Sequence, residues 1–290
     1  MMTQTAFTLV HPQTKALAFQ LYAFEDALAF TKLRNHQYYS MLLVTEGQGS
    51  LKAGVSSFEF ATGCLLCLSL YEPFRIEATT FKGVLIHFHP NFFCIYKHEE
   101  EVACNGVLFN NIYQSPIINL TQADVASFVT MIKNLQIEMQ NTGVAQYEML
   151  TAYLKIFLIS AVRIKLTEQK LSLPVDKEPF ILQTLKDAIE EHYRVKRSPG
   201  EYADLLSITP KALNRISKKH LNKTLSGLIS ERIVIEAKRE LYLTGKPVKQ
   251  IAYELGFEDE FYFSRFFKTN ATVSPQLYRE TVGYAKGDSV

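Results

Sequence analysis

Two rows of side chains, fifty residues apart, have the types and spacing of a surface that reads nucleic acid. In the later row, Phe261, Ser264, Arg265 and Lys268 recur at i, i+3, i+4 and i+7, one face of a helix, while Phe263, Phe266 and Phe267 form an inward stripe. In the earlier row, Lys211, Asn214, Arg215 and Lys218 point outward against Ala212, Leu213, Ile216 and His220. Guanidinium, amide and hydroxyl groups can hydrogen-bond base edges, and ammonium groups suit phosphates. A helix packed on one side and offering such groups on the other fits a DNA major groove. Either stretch alone would read equally well as a solvated helix face, so the second copy carries the argument.

The flanking sequence supplies what two such helices need. Val248, Ile251, Ala252 and Leu255 recur at helical spacing, Gly256 stops that helix, and Asp259 can cap the next. Upstream, residues 202–206 make a short apolar helix, Ser207-Ile208 a corner, and Thr209-Pro210 a cap with Pro in the first turn. Residues 224–244 form a longer helix with one continuous stripe of Leu228, Ile229, Ile233, Ala237 and Leu241. A further helix over 179–193 opens this all-α region.

The set Arg232, Ala237-Lys238, Leu241, Val248, Ile251-Ala252, Gly256-Phe257, Phe263 to Lys268, Ser274-Pro275 and Tyr278-Arg279 resembles the signature of the AraC/XylS transcription regulators. The likeness covers roughly the last hundred residues. It implies two helix-turn-helix units joined by a long helix, with both recognition helices entering successive major-groove segments on one DNA face. By position, Lys211, Asn214 and Arg215 fall where the first recognition helix meets bases, and Glu260, Phe261, Ser264 and Arg265 fall there in the second. Arg215 and Arg265 suit guanine O6 and N7, each with about 1–3 kcal/mol of discrimination. Lys218 and Lys268, a turn further along, suit phosphates. Glu260 either reads a cytosine amino group or holds Arg265. Three residues depart from the pattern. Ser217 stands where the family has a core Phe, Asn222 where it has Gly, and Thr272 where it has Gly in the second unit. A β-branched residue is poor at positive φ, so the turn at Thr272 is expected to be built differently.

Length and composition allow two domains. The chain has 290 residues, 47% hydrophobic and 21% charged, ordinary globular values. No apolar run of eighteen residues and no basic-then-apolar leader are present, so a soluble, cytoplasmic protein is expected. Lys and Arg number 12 against 14 Asp and Glu in residues 1–176, and 19 against 15 in 177–290. The basic excess accompanies the two helix pairs, as phosphate binding requires.

The N-terminal part reads as β. Residues 38–45 and 50–53 are strands on either side of a Glu46-Gly47-Gln48-Gly49 turn, followed by strands at 57–60 and 64–70, an edge strand at 75–79 and a buried one at 83–89. This spacing suggests a small barrel. The Tyr-rich strand, the Gly-x-Gly turn and the later Gly resemble the cupin-type effector domain of many AraC-like regulators. The fold expected is therefore α+β in two domains: a cupin-like barrel plus helices in 1–166, a linker at 167–179, and a double helix-turn-helix domain in 180–290.

Arg34, His36 and Tyr38 alternate onto one face of a first strand, with Arg75 and His87 on others. In a barrel interior they would suit a small carboxylate or a hydroxylated compound; the alternative is that they face solvent. His87 and His89, followed by Cys94, His98 and Cys104, invite a zinc reading, but the spacing matches no standard ligand set and Pro90 interrupts it. Cys64 and Cys67, three apart on a strand, would point to opposite faces. No catalytic residue, metal or cofactor is expected; the competing readings are a metal-dependent cupin enzyme or metal sensor carrying a DNA-binding module, and a barrel with no ligand. Residues 122–141 and 146–166 form two amphipathic helices, which either cover the barrel or, as in AraC-like proteins, make a homodimer contact. The partners expected are promoter DNA, a small-molecule effector and a second copy, with RNA polymerase a further candidate.

Overall fold

The fold was obtained as a computed structural model, which describes residues 6–11, 16–26, 30–54, 56–141, 143–171 and 180–283. The chain divides into two compact units: residues 1–111 with 115–171, and residues 112–114 with 172–290. The eight residues 172–179 of the expected linker lie outside the described part, whereas its first residues, 167–171, are the last turn and a half of a helix.

The first unit is an antiparallel sheet of β1 (Phe7–Val10), β2 (Leu17–Phe24), β3 (Tyr39–Ala53), β4 (Ser56–Ala61), β5 (Cys64–Leu68), β6 (Phe74–Phe88) and β7 (Ile117–Asn119). The order is β1-β2-β6-β3-β5-β7, with β4 on β3. The terminal strands β1 and β7 do not pair, so the expected barrel is open. Three readings change. Residues 46–49 are not a turn. They lie inside β3, which runs on against β6 with register shifts between Val44 and Glu46 and between Gly47 and Gly49. Gly47 takes φ 100°, and a Cβ there would sit 2.2 Å from the Thr80 carbonyl oxygen, so the two Gly signal a bulge that bends a continuous strand. Residues 75–79 and 83–89 are likewise one strand, and it is central, between β2 and β3. β1 and β2 were not anticipated.

Bending lets one face of the sheet enclose Phe24, Leu42, Val44, Leu51, Phe60, Leu66, Phe74, Ile76, Phe81 and Leu85. The opposite face buries Phe19, Tyr39, Met41, Leu43, Leu65 and Phe88. Both faces being covered explains the unbroken apolar run of β5. Beyond the short α1 (Glu99–Val102), the helices α2 (Gln122–Gln140) and α3 (Gln146–Leu171) pack together, with Phe128 against Phe157 at 4.5 Å. Thr121 and Asp124 close a capping box at the start of α2. Phe128, Ile132, Leu135, Leu150, Leu154 and Phe157 are buried, whereas Ile137 and Ile156 are exposed. Cys64 lies across from Val44 and Cys67 from Met41, on opposite faces, and all four cysteines are buried and unbridged.

The second unit is helical: α4 (Phe180–His192), α5 (Pro199–Leu205), α6 (Pro210–Leu221), α7 (Leu225–Leu243), α8 (Val248–Glu254), α9 (Glu260–Ala271) and α10 (Pro275–Val282). The α5–α6 and α8–α9 pairs flank α7, which also touches α4 and α10. Leu228, Ile229, Ile233, Ala237 and Leu241 are all buried, so the stripe read along α7 is the core of this unit. Among the described residues, no helix is long and apolar enough to cross a membrane.

Candidate nucleic-acid interface

The two outward rows belong to α6 and α9, and local chemistry fixes both helices alike. Thr209 caps α6 by accepting the Ala212 N–H at 3.2 Å, with Pro210 in the first turn. Asp259 caps α9 by accepting from Phe261 at 3.2 Å and Tyr262 at 2.8 Å. The buried positions of α6 are Leu213, Ser217 and Leu221; those of α9 are Phe263, Phe267 and Ala271, each fifty residues later. Both helices end in a left-handed residue, Asn222 at φ 55° and Thr272 at φ 65°. The second turn is thus built like the first, and Thr272 accepts the strain that was expected to exclude it. Thr272→Gly is therefore expected to raise stability by about 1 kcal/mol by removing a left-handed β-branched residue. Denaturation of the helical unit should shift to higher urea, and an unchanged or lower midpoint would contradict this.

Ser217, in place of a core Phe, is fully buried and donates its hydroxyl to the Lys223 carbonyl at 2.6 Å, so the site is closed by a hydrogen bond rather than by a ring. Its polarity also misled the phase of the helix. His220 is exposed, not inward. Asn214 is corrected too: it is half-buried, and its Oδ1 accepts the Leu225 N–H at 3.0 Å. It thereby joins Thr224, which accepts from Gly227 at 3.1 Å, in satisfying the start of α7. The Nδ2 of Asn214 remains for a base.

The remaining cations sort into two classes. Arg232, from the family signature, lies over the Tyr193 ring at 4.0 Å and bonds Glu190 at 2.7 Å and Glu236 at 3.3 Å. Burial raises the Glu236 carboxyl, but Arg232, Arg239 and Arg194 outweigh it and hold the group below its ordinary pKa. Arg279 donates to the carbonyls of Leu241 and Lys246, tying α10 to the end of α7. Arg197 covers the Phe257 ring at 3.6 Å and donates to the Leu255 carbonyl at 2.6 Å. These side chains build the domain. In contrast, Lys211, Arg215, Lys218, Arg265 and Lys268 are exposed and, among the described residues, engage in no side-chain hydrogen bond or ion pair. Ser264 is half-buried, Phe261 is 78% exposed, and no ion pair joins Glu260 to Arg265. The outer faces of α6 and α9 are thus free to meet a ligand, and their charge suits a polyanion.

The candidate effector residues come together only in part. His36 lies 5.1 Å from His87 and Tyr38 5.7 Å from it, ring centre to ring centre. Arg34 precedes them in an isolated bridge to Phe74, and β3 starts only at Tyr39, so 34, 36 and 38 are not one strand. Arg75 does not join them. It is on the exposed face of β6, 3.1 Å from Glu77. Sequence reasoning missed Tyr22, whose ring lies 6.3 Å from His87, and Ser40, whose hydroxyl is 2.8 Å from His87 Nδ1. Both sit on strands paired with β6, but β2 was not recognised and Ser40 was hidden in an apolar run.

Burial pushes the His87 pKa down to about 3, with His36 adding to the fall. Burial and Arg34 also lower His36, and burial raises Tyr22 against the opposing effect of Arg34. The cluster is therefore neutral imidazole and phenol beside one guanidinium. Unfolded, the imidazole of His87 takes a proton near 6.5; folded, it resists until about 3. Its contribution to stability is complete above pH 6.5 and is lost at up to about 1.4 kcal/mol per pH unit as the pH falls through that window. His87→Gln should flatten the loss of stability between pH 7.5 and 5 in urea titrations of the sheet unit. A slope equal to wild type would place the acid sensitivity elsewhere. His89 Nδ1 accepts the Asn91 N–H, and His98 stacks on Phe93 at 4.7 Å and bonds Glu101. Among the described residues, no group of three or more His, Cys, Asp or Glu is placed to hold a metal ion.

A helix-turn-helix domain family matches residues 202–281. The chain is similar to the raffinose operon transcriptional regulatory protein RafR of Pediococcus pentosaceus, 27% identical over 95 residues, 33% of this chain and 34% of that one. It is also similar to the transcriptional activator RhaS of Enterobacter sp. (strain 638), 30% identical over 99 residues, 34% and 36% of the two chains. The matched stretch spans about a third of the length of each of these relatives. Among solved structures, ToxT from Vibrio cholerae aligns over 91% of this chain and 98% of its own, at 17% identity and a TM-score of 0.40.

Proposed function

We propose that the chain, whose C-terminal part matches a helix-turn-helix domain family and resembles transcriptional activators, is an AraC/XylS-type sequence-specific DNA-binding regulator whose helices α6 and α9 read two successive major-groove segments. The observation that carries this is the repeat itself. Two helices fifty residues apart bury the same positions and expose an arginine at the same place, each free of intramolecular partners. Lys211, Arg215 and Arg265 read base edges, and Lys218 and Lys268 contact the flanking phosphates. Glu260, which holds no ion pair to Arg265, accepts from a cytosine amino group. The sheet unit receives a small molecule at His36, Tyr38, His87 and Arg34. A single guanidinium amid neutral rings favours a compound with one carboxylate or several hydroxyls. The exposed Ile137 and Ile156 support a reading in which the α2–α3 pair is the contact for a second copy. A cytoplasmic site of action, with RNA polymerase as a further partner at the promoter, accords with this reading.

The test is a footprint of the full-length protein on its own upstream DNA at several salt concentrations. Two protected segments on one face of the duplex, about 10 base pairs apart centre to centre, are expected. Affinity should fall steeply with salt as counterions are released. Protection that stays diffuse down to low salt would overturn the reading.

A further inference from the structure

The two reading helices are not chemically equivalent, and the difference falls on one pair of positions. At the second residue of the helix α6 carries Lys211, whereas α9 carries Phe261, 78% exposed and among the most exposed large apolar side chains of the second unit. Exposure of a phenyl ring to this degree on a helix that buries Phe263 and Phe267, and leaves Tyr262 56% exposed, has no intramolecular use here. Phe263 and Phe267 are fully buried, and Tyr262 next to it leans on Phe257 at 5.8 Å. Phe261 has no such ring partner among the described residues, and its backbone N–H is already taken by Asp259. The residue therefore offers a groove nothing but an apolar surface.

In the major groove the base edges present donors and acceptors, with one apolar group among them, the C5-methyl of thymine. Residues at the start of a recognition helix are those that reach base edges. We propose that Phe261 is a specificity-determining residue that packs on a thymine methyl in the segment read by α9; this rests on the DNA-binding reading above. The position of that thymine follows from the helix. Phe261 and Arg265 are one turn apart on the same face, about 5–6 Å. At about 3.4 Å per base step, the thymine lies within roughly two base pairs of the guanine read by Arg265. In α6 the same place is an ammonium, which has no such preference, so the segment read there carries no matching thymine requirement.

The experiment uses the full-length protein and the duplex defined by its footprint, with each thymine of the α9 segment replaced singly by deoxyuridine. That change removes one methyl and leaves every hydrogen-bonding group. At one position wild type should bind about fourfold more weakly, the worth of burying one such carbon. Phe261→Ala should bind the thymine duplex about as weakly as wild type binds the uracil duplex, and should not distinguish the two. Phe261→Leu should keep part of the discrimination. Affinity for unrelated DNA and the melting profile should match wild type in both variants, since the ring packs on nothing. Indifference of wild type to every deoxyuridine, or an equal loss on deoxyuridine in Phe261→Ala, would overturn the assignment while leaving the DNA reading intact. Equal weakening of Phe261→Ala on unrelated DNA would make the residue structural and overturn it also. The absence of any discrete footprint would overturn both.

Discussion

Gly256→Ala is expected to destabilise the second helix-turn-helix unit by about 3 kcal/mol or more, and to remove the protection due to α9 before that due to α6. Two costs combine at this corner. Gly256 is at φ 74°, the left-handed region that non-glycine residues enter at about 1–2 kcal/mol. A Cβ there would also sit 2.0 Å from the Arg194 carbonyl oxygen and 3.0 Å from Arg197 Nη2. A backbone carbonyl cannot step aside as a side chain does, so the segment between α4 and α5 would have to move. With it would go the Arg197 stacking on Phe257 and its bond to Leu255. The first helix pair, α5–α6, provides the control. Ser207 occupies the corresponding corner at φ 55°, so a left-handed residue with a side chain is tolerated there. Gly256→Asn then separates the costs. Asn accepts the left-handed region but still carries the Cβ, so it should be nearly as damaging as Ala. If Gly256→Asn were as stable as wild type in urea unfolding, close approach would not be the reason for the glycine.

The second large effect is on recognition rather than stability. Arg215→Ala and Arg265→Ala should each lower affinity for the footprinted sequence by roughly 5- to 150-fold, from about 1–3 kcal/mol per bidentate guanine contact. Neither should shift the melting profile, because neither guanidinium has an intramolecular partner among the described residues. Lys at either position should not restore the preference, since an ammonium cannot match the planar fork. The helices are separate, so the two losses should add in free energy and leave the double variant close to its affinity for unrelated DNA. By contrast, Lys218→Ala or Lys268→Ala should weaken all sequences alike and reduce the salt slope by about one. An Arg265→Ala protein with unchanged sequence preference would remove α9 from base recognition.

The helical half was legible because each helix announces itself locally. Apolar residues recur at helical spacing, Thr209 and Asp259 act as caps, and Gly256 stops α8. Where that local signal weakened, the reading slipped. The buried column of α6 is Leu213, Ser217 and Leu221; a serine at its centre hides the column, so spacing and polarity alone point to Ile216 and His220 as the inward face instead. Asn214 has the spacing of a base reader. Its use as a cap for α7 depends on how α6 meets the next helix, which spacing does not encode. The sheet was harder. Glycines that signal a turn in one strand signal a bulge in another, and only pairing with β6 decides which applies at Gly47 and Gly49. Arg75 shows the matching limit at the site. A strand pattern gives alternation, but which side is interior comes from the neighbouring strands, and those place it beside Glu77 in solvent.

The long helix α7 has a consequence for how such a protein can change its target. Its buried residues run from Leu225 to Tyr242 and serve both helix pairs at once. Each residue of an α-helix turns the chain by about 100° and advances it about 1.5 Å. One residue inserted midway would swing everything after it a quarter turn out of the core and carry the second reading head off the face of the duplex. Small insertions and deletions are thus closed as a route to new half-site spacings. On the proposed DNA reading, the distance between the two words of the operator is fixed by a ruler, and drift toward new promoters proceeds through spelling, one exposed side chain of α6 or α9 at a time.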